Sequence, residues 1–386
     1  MAITIEPREI EVRTTWQVIV TSYQWLTRDG PVGPRQPAFG YMSGSRWMAK
    51  AQNTPEYGRY MAQLARTYGI RMFSSYWTYE SDSLVMPLRN FKSSIGSLPL
   101  SELGAVRFIY MFALDLFHVR WQRLQQVILD LKSEILGPKY TRLRDSRGVL
   151  RPVIMFWGDQ ANRAPREFQT MIANLRREFA PVEPYFIMTQ HGIHTNDDGF
   201  IRSLDAFYEH ALHHNYSASA NPTSGPRPAA LDTRTATDLT VERQWKPLRA
   251  ALQGKTNLHT GLPVLYMPGA MPQLELHDQR RGIVYARSKA DVEYMFAKSK
   301  QYAPVVWSRR SGDVVELERW LVLTDFNEWV EGHTIEPCRR VPPEQSETEP
   351  YNANHEYGDD FMEAFRDAYK PEVRVRLFPG PADPQI

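Results

Sequence analysis

The sequence predicts an α/β protein of the (β/α)8 class, a TIM barrel folded as a single domain with loop insertions. About eight short apolar runs recur along the chain, and amphipathic helical patterns separate them. Several of the runs are apolar almost throughout, as parallel strands covered on both faces must be. A doubly wound open sheet is the competing arrangement, but no glycine-rich phosphate loop follows the first run. The 386 residues suffice for a barrel with insertions. We delimit a catalytic barrel over 1–370 and a C-terminal tail over 371–386, proline-rich and expected to wrap loosely on the surface.

The runs are WQVIVTSY (16–23), IRMFSSYW (70–77), VRFIYMFAL (106–114), PVIMFW (152–157), PYFIMT (184–189), LDAFY (204–208), PVLYM (263–267) and WLVLTDF (320–326). Between them the helices announce their ends. Thr54 precedes Pro55, a cap followed by a proline at the first helical position. Tyr57, Tyr60, Met61 and Leu64 then share one face. HVRWQRLQQVILDLKSEIL (118–136) and PREFQTMIANLRREF (165–179) carry the same period. Ser288, three residues before Asp291, starts a helix whose apolar stripe is Val292, Met295 and Phe296. Residues 359–370 read as the closing helix. Segment 217–235, rich in Ser, Pro, Ala and Thr, reads as a surface insertion, and Met111 and Trp121 read as core.

Composition excludes several functions. Lys and Arg number 46 against 44 Asp and Glu, a net +2 that offers no electrostatic footprint for nucleic acid or an anionic membrane. The single Cys can form neither an internal disulfide nor a cysteine zinc site. No run approaches the roughly 20 apolar residues of a membrane helix, and MAITIEPREIEVR lacks a basic start followed by an apolar run. These features point to a soluble, cytoplasmic protein with neither membrane nor nucleic-acid partner. Aromatic residues make up 12% of the chain, which suits either a large core or platforms that stack on sugar rings.

In this architecture active sites lie at the C-terminal ends of the strands. Those positions hold Tyr23 and Trp25; Trp77, Tyr79 and Glu80; Asp115 and His118; Trp157 and Asp159; Gln190, His191 and His194; and Tyr208 and His210. The eighth run continues into TDFNEWVEGHTIEP (324–337), with Asn327, Trp329 and Glu336. Aromatics, carboxylates and histidines are what a carbohydrate pocket needs. His191, His194 and Asp197 are too loosely spaced to argue for a metal, and no cofactor is called for. Asp115 and Asp159 suit sugar hydroxyls or helix capping equally. Glu336 suits substrate or an ion pair with Arg339 or Arg340, and Cys338 has no visible base partner.

Glu328 and Glu331 carry the strongest signal. In a strand, residues three apart point to opposite faces, so both reach one site only if the strand ends between them. Gly332 helps the chain turn there. Two carboxylates at a strand end are the equipment for glycosidic cleavage: one protonates the leaving oxygen while the other promotes attack at the anomeric carbon. Close carboxylates also push each other's pKa apart, which keeps one of them protonated near neutral pH.

NEWVEG followed by IEP resembles the last-strand motif of glycoside hydrolase family 99, the endo-α-mannosidases, and of the related WbsX-like proteins. Fainter similarity runs in order through SYQW, ARTYGIRMFSSYW (65–77), GVLRPVIMFW (148–157), LDAFYEH (204–210), PVLYMPG (263–269) and EYGDDFMEAFRDA (356–368). The resemblance implies a metal-independent (β/α)8 hydrolase that acts on α-mannose-type linkages with retention. It implies that Glu328 activates the sugar's own 2-hydroxyl, that Glu331 is the general acid/base, and that Tyr23 and Trp77 line the pocket. Two stretches depart from the family: 26–50 shows no paired histidines, and FALDLFHVRW lacks an Asn-Glu. A glycosyltransferase, a label sometimes given to WbsX-like chains, and a catalytically inactive carbohydrate-binding barrel are the alternatives.

Overall fold

Strand β1 (Arg8–Ser22) has a parallel partner on each side, and following those partners around the sheet leads back to β1. The structure, a computed structural model, describes residues 8–22, 36–37, 40–43, 46–49, 52–77, 86–114, 121–158, 160–189, 197–209, 231–272, 284–285, 288–324, 326–328, 333–334, 338–339 and 359–378. On one side β1 leads through β2 (Met72–Trp77), β3 (Arg107–Ala113), β4 (Leu150–Trp157), β5 (Tyr185–Thr189) and β6 (Ala206–Tyr208) to β7 (Leu265–Met267). On the other it pairs with β10 (Val314–Leu323), which pairs with β8 (Gly269–Ala270). β7 and β8 are halves of one run divided at Pro268. The first half bonds to β6 and the second to β10, so this run closes the ring. Proline has no N–H to donate, and the Pro268 carbonyl accepts from the Val322 amide at 3.2 Å at the point where the run changes partner. Nine parallel segments thus fill the eight positions of a (β/α)8 barrel.

Residues alternate along each strand between the barrel axis and the helix layer. Ile19, Met72, Ile109, Met111, Met155, Ile187, Met267 and Val322 fill the interior. Tyr185 and Trp320 meet edge to face at 5.0 Å nearer its N-terminal end. Val18, Phe73, Phe108, Phe112, Phe156 and Phe186 face outward into the helix contacts. Burial on both faces is the reason the strands read as continuous apolar runs.

Helix α1 (Pro55–Tyr68) starts as its sequence predicts, with the Tyr57 amide donating to Thr54 Oγ1 at 3.2 Å, and it stops at Gly69, whose φ of 79° favours glycine. The stretch expected as one helix over 118–136 is two in the described residues, α2 (Trp121–Asp130) and α3 (Lys132–Ile135). Then come α4 (Pro165–Phe179), α5 (Asp198–Ser203), α6 (Thr233–Thr240), α7 (Lys246–Leu252), α8 (Lys289–Tyr302) and α9 (Asp360–Tyr369). A π turn, Val241–Trp245, joins α6 to α7. Ser288 caps α8 by accepting from the Asp291 amide. Of the insertion expected over 217–235, residues 231–235 form a short strand and the start of α6, capped by Asp232, and 217–230 lie outside the described residues. Met111 is fully buried in the barrel and Trp121 half-buried against the outer core. No helix among the described residues is long and apolar enough to cross a membrane.

The N-terminal end of the barrel extends further than the apolar runs suggested. The lower halves of β1 and β10 continue as a two-faced sheet, flanked by antiparallel β9 (Val305–Ser311) on β10 and β11 (Glu372–Phe378) on β1. Of the tail expected to wrap loosely, Glu372–Phe378 instead adds a strand whose register runs from Thr14↔Glu372 to Arg8↔Phe378, and 379–386 lie outside the described residues. A buried ion cluster ties the starts of β4, β5 and β6. Asp205 accepts from Arg151 Nη1 and Nη2 at 3.0 and 3.1 Å, from Arg176 Nη2 at 2.8 Å and from the Phe186 amide at 2.9 Å.

Candidate active site

At the C-terminal rim the last barrel strand does not leave the sheet abruptly. The Thr324 amide donates to the Ala270 carbonyl at 2.8 Å, and the Phe326 amide to the Thr21 carbonyl at 2.7 Å. Thr21 Oγ1 donates in turn to the Leu323 carbonyl at 3.2 Å. The Phe326 side chain is fully buried edge-on against Phe73. Immediately beyond, Asn327–Glu328 pairs antiparallel with His333–Thr334, in the register Glu328↔His333. Four residues, 329–332, join the paired segments. The backbone of Asn327 and Glu328 is therefore set in a ribbon rooted on the rim, while Trp329, Glu331 and Glu336 lie outside the described residues.

The rim loops pair with one another. Gln36–Pro37, in the loop after β1, forms a two-residue ladder with Cys338–Arg339, in the loop after β10. Leu231–Asp232, after β6, pairs with Val284–Tyr285, after β8. Hairpin Gly40–Ser43/Arg46–Ala49 also belongs to the first loop.

Of the expected sugar-binding residues, Trp157 and Tyr208 have described side chains. Trp157 ends β4 opposite Ala113 and lies half-buried on the barrel's interior cluster. Gly158 turns the chain there with a φ of 116°, and its amide donates to Thr189 Oγ1 at 3.1 Å, which clasps the ends of β4 and β5. Tyr208 ends β6, fully buried, with its hydroxyl donating to Met111 Sδ at 2.8 Å. Trp77 is the last residue of β2, where its backbone pairs with Phe112. Tyr23, Trp25, Tyr79, Glu80, Asp115, His118, Asp159, Gln190, His191, His194 and His210 lie outside the described residues. Asp197 caps α5, accepting from the Phe200 amide at 2.9 Å, and also accepts from Gln169 Nε2 at 3.3 Å.

The sequence reading passed over Glu209. It is fully buried beside Tyr208, on the opposite face of the strand. Its Oε2 accepts from Trp245 Nε1 and from the Tyr266 hydroxyl, the latter at 3.4 Å. Burial, reinforced by the Glu209 charge, pushes the Tyr266 phenol well above its ordinary pKa. The π turn carries Trp245 at its last position. Gly269 presses on the same point, because a Cβ there would lie 2.1 Å from the Glu209 carbonyl oxygen. The available signal was an acid directly after an apolar strand whose outer face a helix must cover.

The sequence matches no family model, and no curated protein matches it. Among solved structures, a glycoside hydrolase-like protein superposes with a TM-score of 0.60 at 15% identity, covering 96% of this chain and 98% of its own. The endo-α-mannosidase of family 99 from Bacteroides thetaiotaomicron has a TM-score of 0.53 at 15% identity, covering 92% of this chain and 96% of its own. Its complex with bis-tris propane gives 0.53 at 14% identity, covering 91% and 96%. The chain thus shares the whole fold of these barrels. At such identities the likeness is one of fold.

Proposed function

We propose that the chain is a retaining glycoside hydrolase that cleaves a 1,2-trans glycosidic linkage, of α-mannoside type, within an oligo- or polysaccharide. One observation carries the reading: the last barrel strand leads directly into Asn327–Glu328 at the C-terminal rim, in the NEWVEG motif that also supplies Glu331. The glycosidase neighbours of the same fold support it.

In this mechanism the Glu328 carboxylate takes the proton of the substrate's 2-hydroxyl, and O2 attacks C1 from the face opposite the leaving group. Glu331 protonates the glycosidic oxygen as the C1–O bond breaks, leaving a three-membered 1,2-anhydro sugar. The Glu331 carboxylate then deprotonates a water that opens this ring at C1, and Glu328 returns its proton to O2. Two inversions give net retention. Backside attack requires O2 and the leaving group to be trans, which admits α-mannosides and β-glucosides and excludes α-glucosides.

The test is incubation with an oligosaccharide panel, with and without sugar nucleotides. Release of reducing ends without sugar nucleotide is expected. Chain extension that depends on sugar nucleotide would make the protein a transferase, and binding without turnover of any glycan would make it an inactive carbohydrate-binding barrel.

A further inference from the structure

The sheet at the N-terminal end of the barrel separates its charges by face. Strand alternation and register set Arg374 opposite Val12, Arg376 opposite Ile10 and Arg319 opposite Trp16, so the three arginines share the face that carries Ile10, Val12, Val315 and Leu317. Those four apolar residues are 1–7% exposed and run between the arginine-bearing positions. Arg374 and Arg376 are exposed, Arg319 is half-buried, and exposed Arg249, in the last turn of α7, stands beside Arg319. Burial, then the charges of Arg249, Arg376 and Arg374, lower the Arg319 pKa, with Glu372 opposing them.

Among the described residues Glu372 is the one carboxylate facing the group, and it is shared between Arg374 and Lys300, so the charge of Arg249, Arg319 and Arg376 is not balanced by it. Arg249 and Arg376 have no ion pair among the described residues. Capping of helix ends accounts for one Arg319 bond, to the Ala303 carbonyl at 2.9 Å, and for the Lys300 bond to the Ala368 carbonyl at 2.6 Å. It leaves Arg249 and Arg376 without a task, and Arg374 with its pairing to Glu372 at 2.8 Å. Guarding an open sheet edge needs charge along the strand, not like charges drawn together. Like charges gathered at a partly buried position oppose folding, and an anion would relieve that cost.

We propose that this face is a second, non-catalytic binding site for a glycan segment bearing carboxylate or sulfate groups. The proposal rests on the hydrolase reading for its choice of a glycan over other polyanions. Guanidinium groups pair bidentately with such oxyanions, and the exposed Arg374 and Arg376 stand at every second position of one strand, where neighbouring acidic groups of a chain can be met in turn. From Val12 to the rim at Ser22, β1 rises about 33 Å, so a short oligosaccharide in the catalytic site does not reach this face.

The experiment compares wild type with the exposed-surface double variant Arg374→Ser/Arg376→Ser, and with the charge reversal Arg376→Glu, once thermal melts show that each is folded. Isothermal titration uses polygalacturonate as the carboxylate probe, dextran sulfate as the sulfate probe, neutral dextran as the control and duplex DNA as the competing polyanion. Wild type is expected to bind at least one acidic glycan in a salt-sensitive manner and to leave dextran unbound. Both variants are expected to bind about tenfold or more weakly. Equal binding by wild type and variants, no binding of either acidic glycan, or DNA binding as tight as the glycan would overturn the proposal. Binding needs no turnover, so a variant-sensitive acidic-glycan site in a protein inactive on every glycan would sink the hydrolase reading and leave this site standing.

Discussion

The Phe326 amide donates to the Thr21 carbonyl at 2.7 Å, so the chain leaving the last barrel strand stays bonded to the end of the first. Glu328 follows two residues later, already in the Glu328↔His333 ladder. Such a ribbon fixes where the backbone of Glu328 sits, which is what the role proposed for that residue requires. Phe326 anchors it from below, fully buried against Phe73. Phe326→Ala is expected to cost about 3–5 kcal/mol of stability and to lower turnover further than that destabilisation explains, as measured on the folded fraction at low temperature. Full activity per folded molecule would detach the ribbon's position from catalysis.

Asp205→Ala leaves Arg151 and Arg176 buried without their shared carboxylate. Removing one partner of a buried ionic cluster costs about 3–5 kcal/mol. Urea unfolding should show a loss in that range. A loss under about 1 kcal/mol would mean that the backbone carbonyls around both guanidinium groups suffice to hold them.

Gly269→Ala puts a methyl carbon 2.1 Å from the Glu209 carbonyl oxygen, and the obstacle is backbone on a buried strand end. The ends of β6 and β8 must separate, at an expected cost of about 1–3 kcal/mol. The melting temperature should fall accordingly. An unchanged value would show that the two strand ends slide freely.

Asp232 provides a pH test with a definite sign. Its carboxylate accepts from the Thr235 amide and hydroxyl, both at 2.9 Å, and these bonds hold its pKa below the ordinary 3.8. A depressed folded pKa means that the unfolded state binds its proton first as pH falls. The stabilisation is thus complete above pH 4 or so and is lost as pH drops through the folded value. Wild type should melt above Asp232→Asn at neutral pH, and the gap should narrow as the pH falls below the ordinary 3.8. A gap that widened in acid would contradict the assignment.

Much of this fold was legible because strands buried on both faces leave uninterrupted apolar runs, and because Thr54-Pro55 and Ser288 mark helix starts by side-chain chemistry. What escaped the reading has physical reasons. REIEVRT and VVELERW alternate apolar and charged residues, the mark of a sheet with one wet face, and a search for continuous runs passes over them. The divided strand at Pro268 keeps its apolar character through the change of partner. The helix break between Asp130 and Lys132 carries neither glycine nor proline. At the rim, the motif was legible from its place after an apolar strand. The ladder of Gln36–Pro37 with Cys338–Arg339 was not, since two-residue pairings have no periodicity to detect.

Glu331→Gln separates acid catalysis from the rest of the chemistry. Turnover of natural glycans is expected to fall roughly 10²–10⁴-fold, while aryl glycosides whose leaving groups need no proton retain most of their rate of bond cleavage. Equal losses on both substrates would mean that Glu331 is not the acid.

The most direct test of the central claim is proton NMR of the first anomer released from an α-mannoside substrate, before mutarotation, run beside the same substrate carrying a 2-O-methyl group. Participation of the 2-hydroxyl, assisted by Glu328, predicts the α-anomer from the first and no cleavage of the methylated compound. Initial release of the β-anomer, or undiminished cleavage of the 2-blocked glycoside, would contradict it.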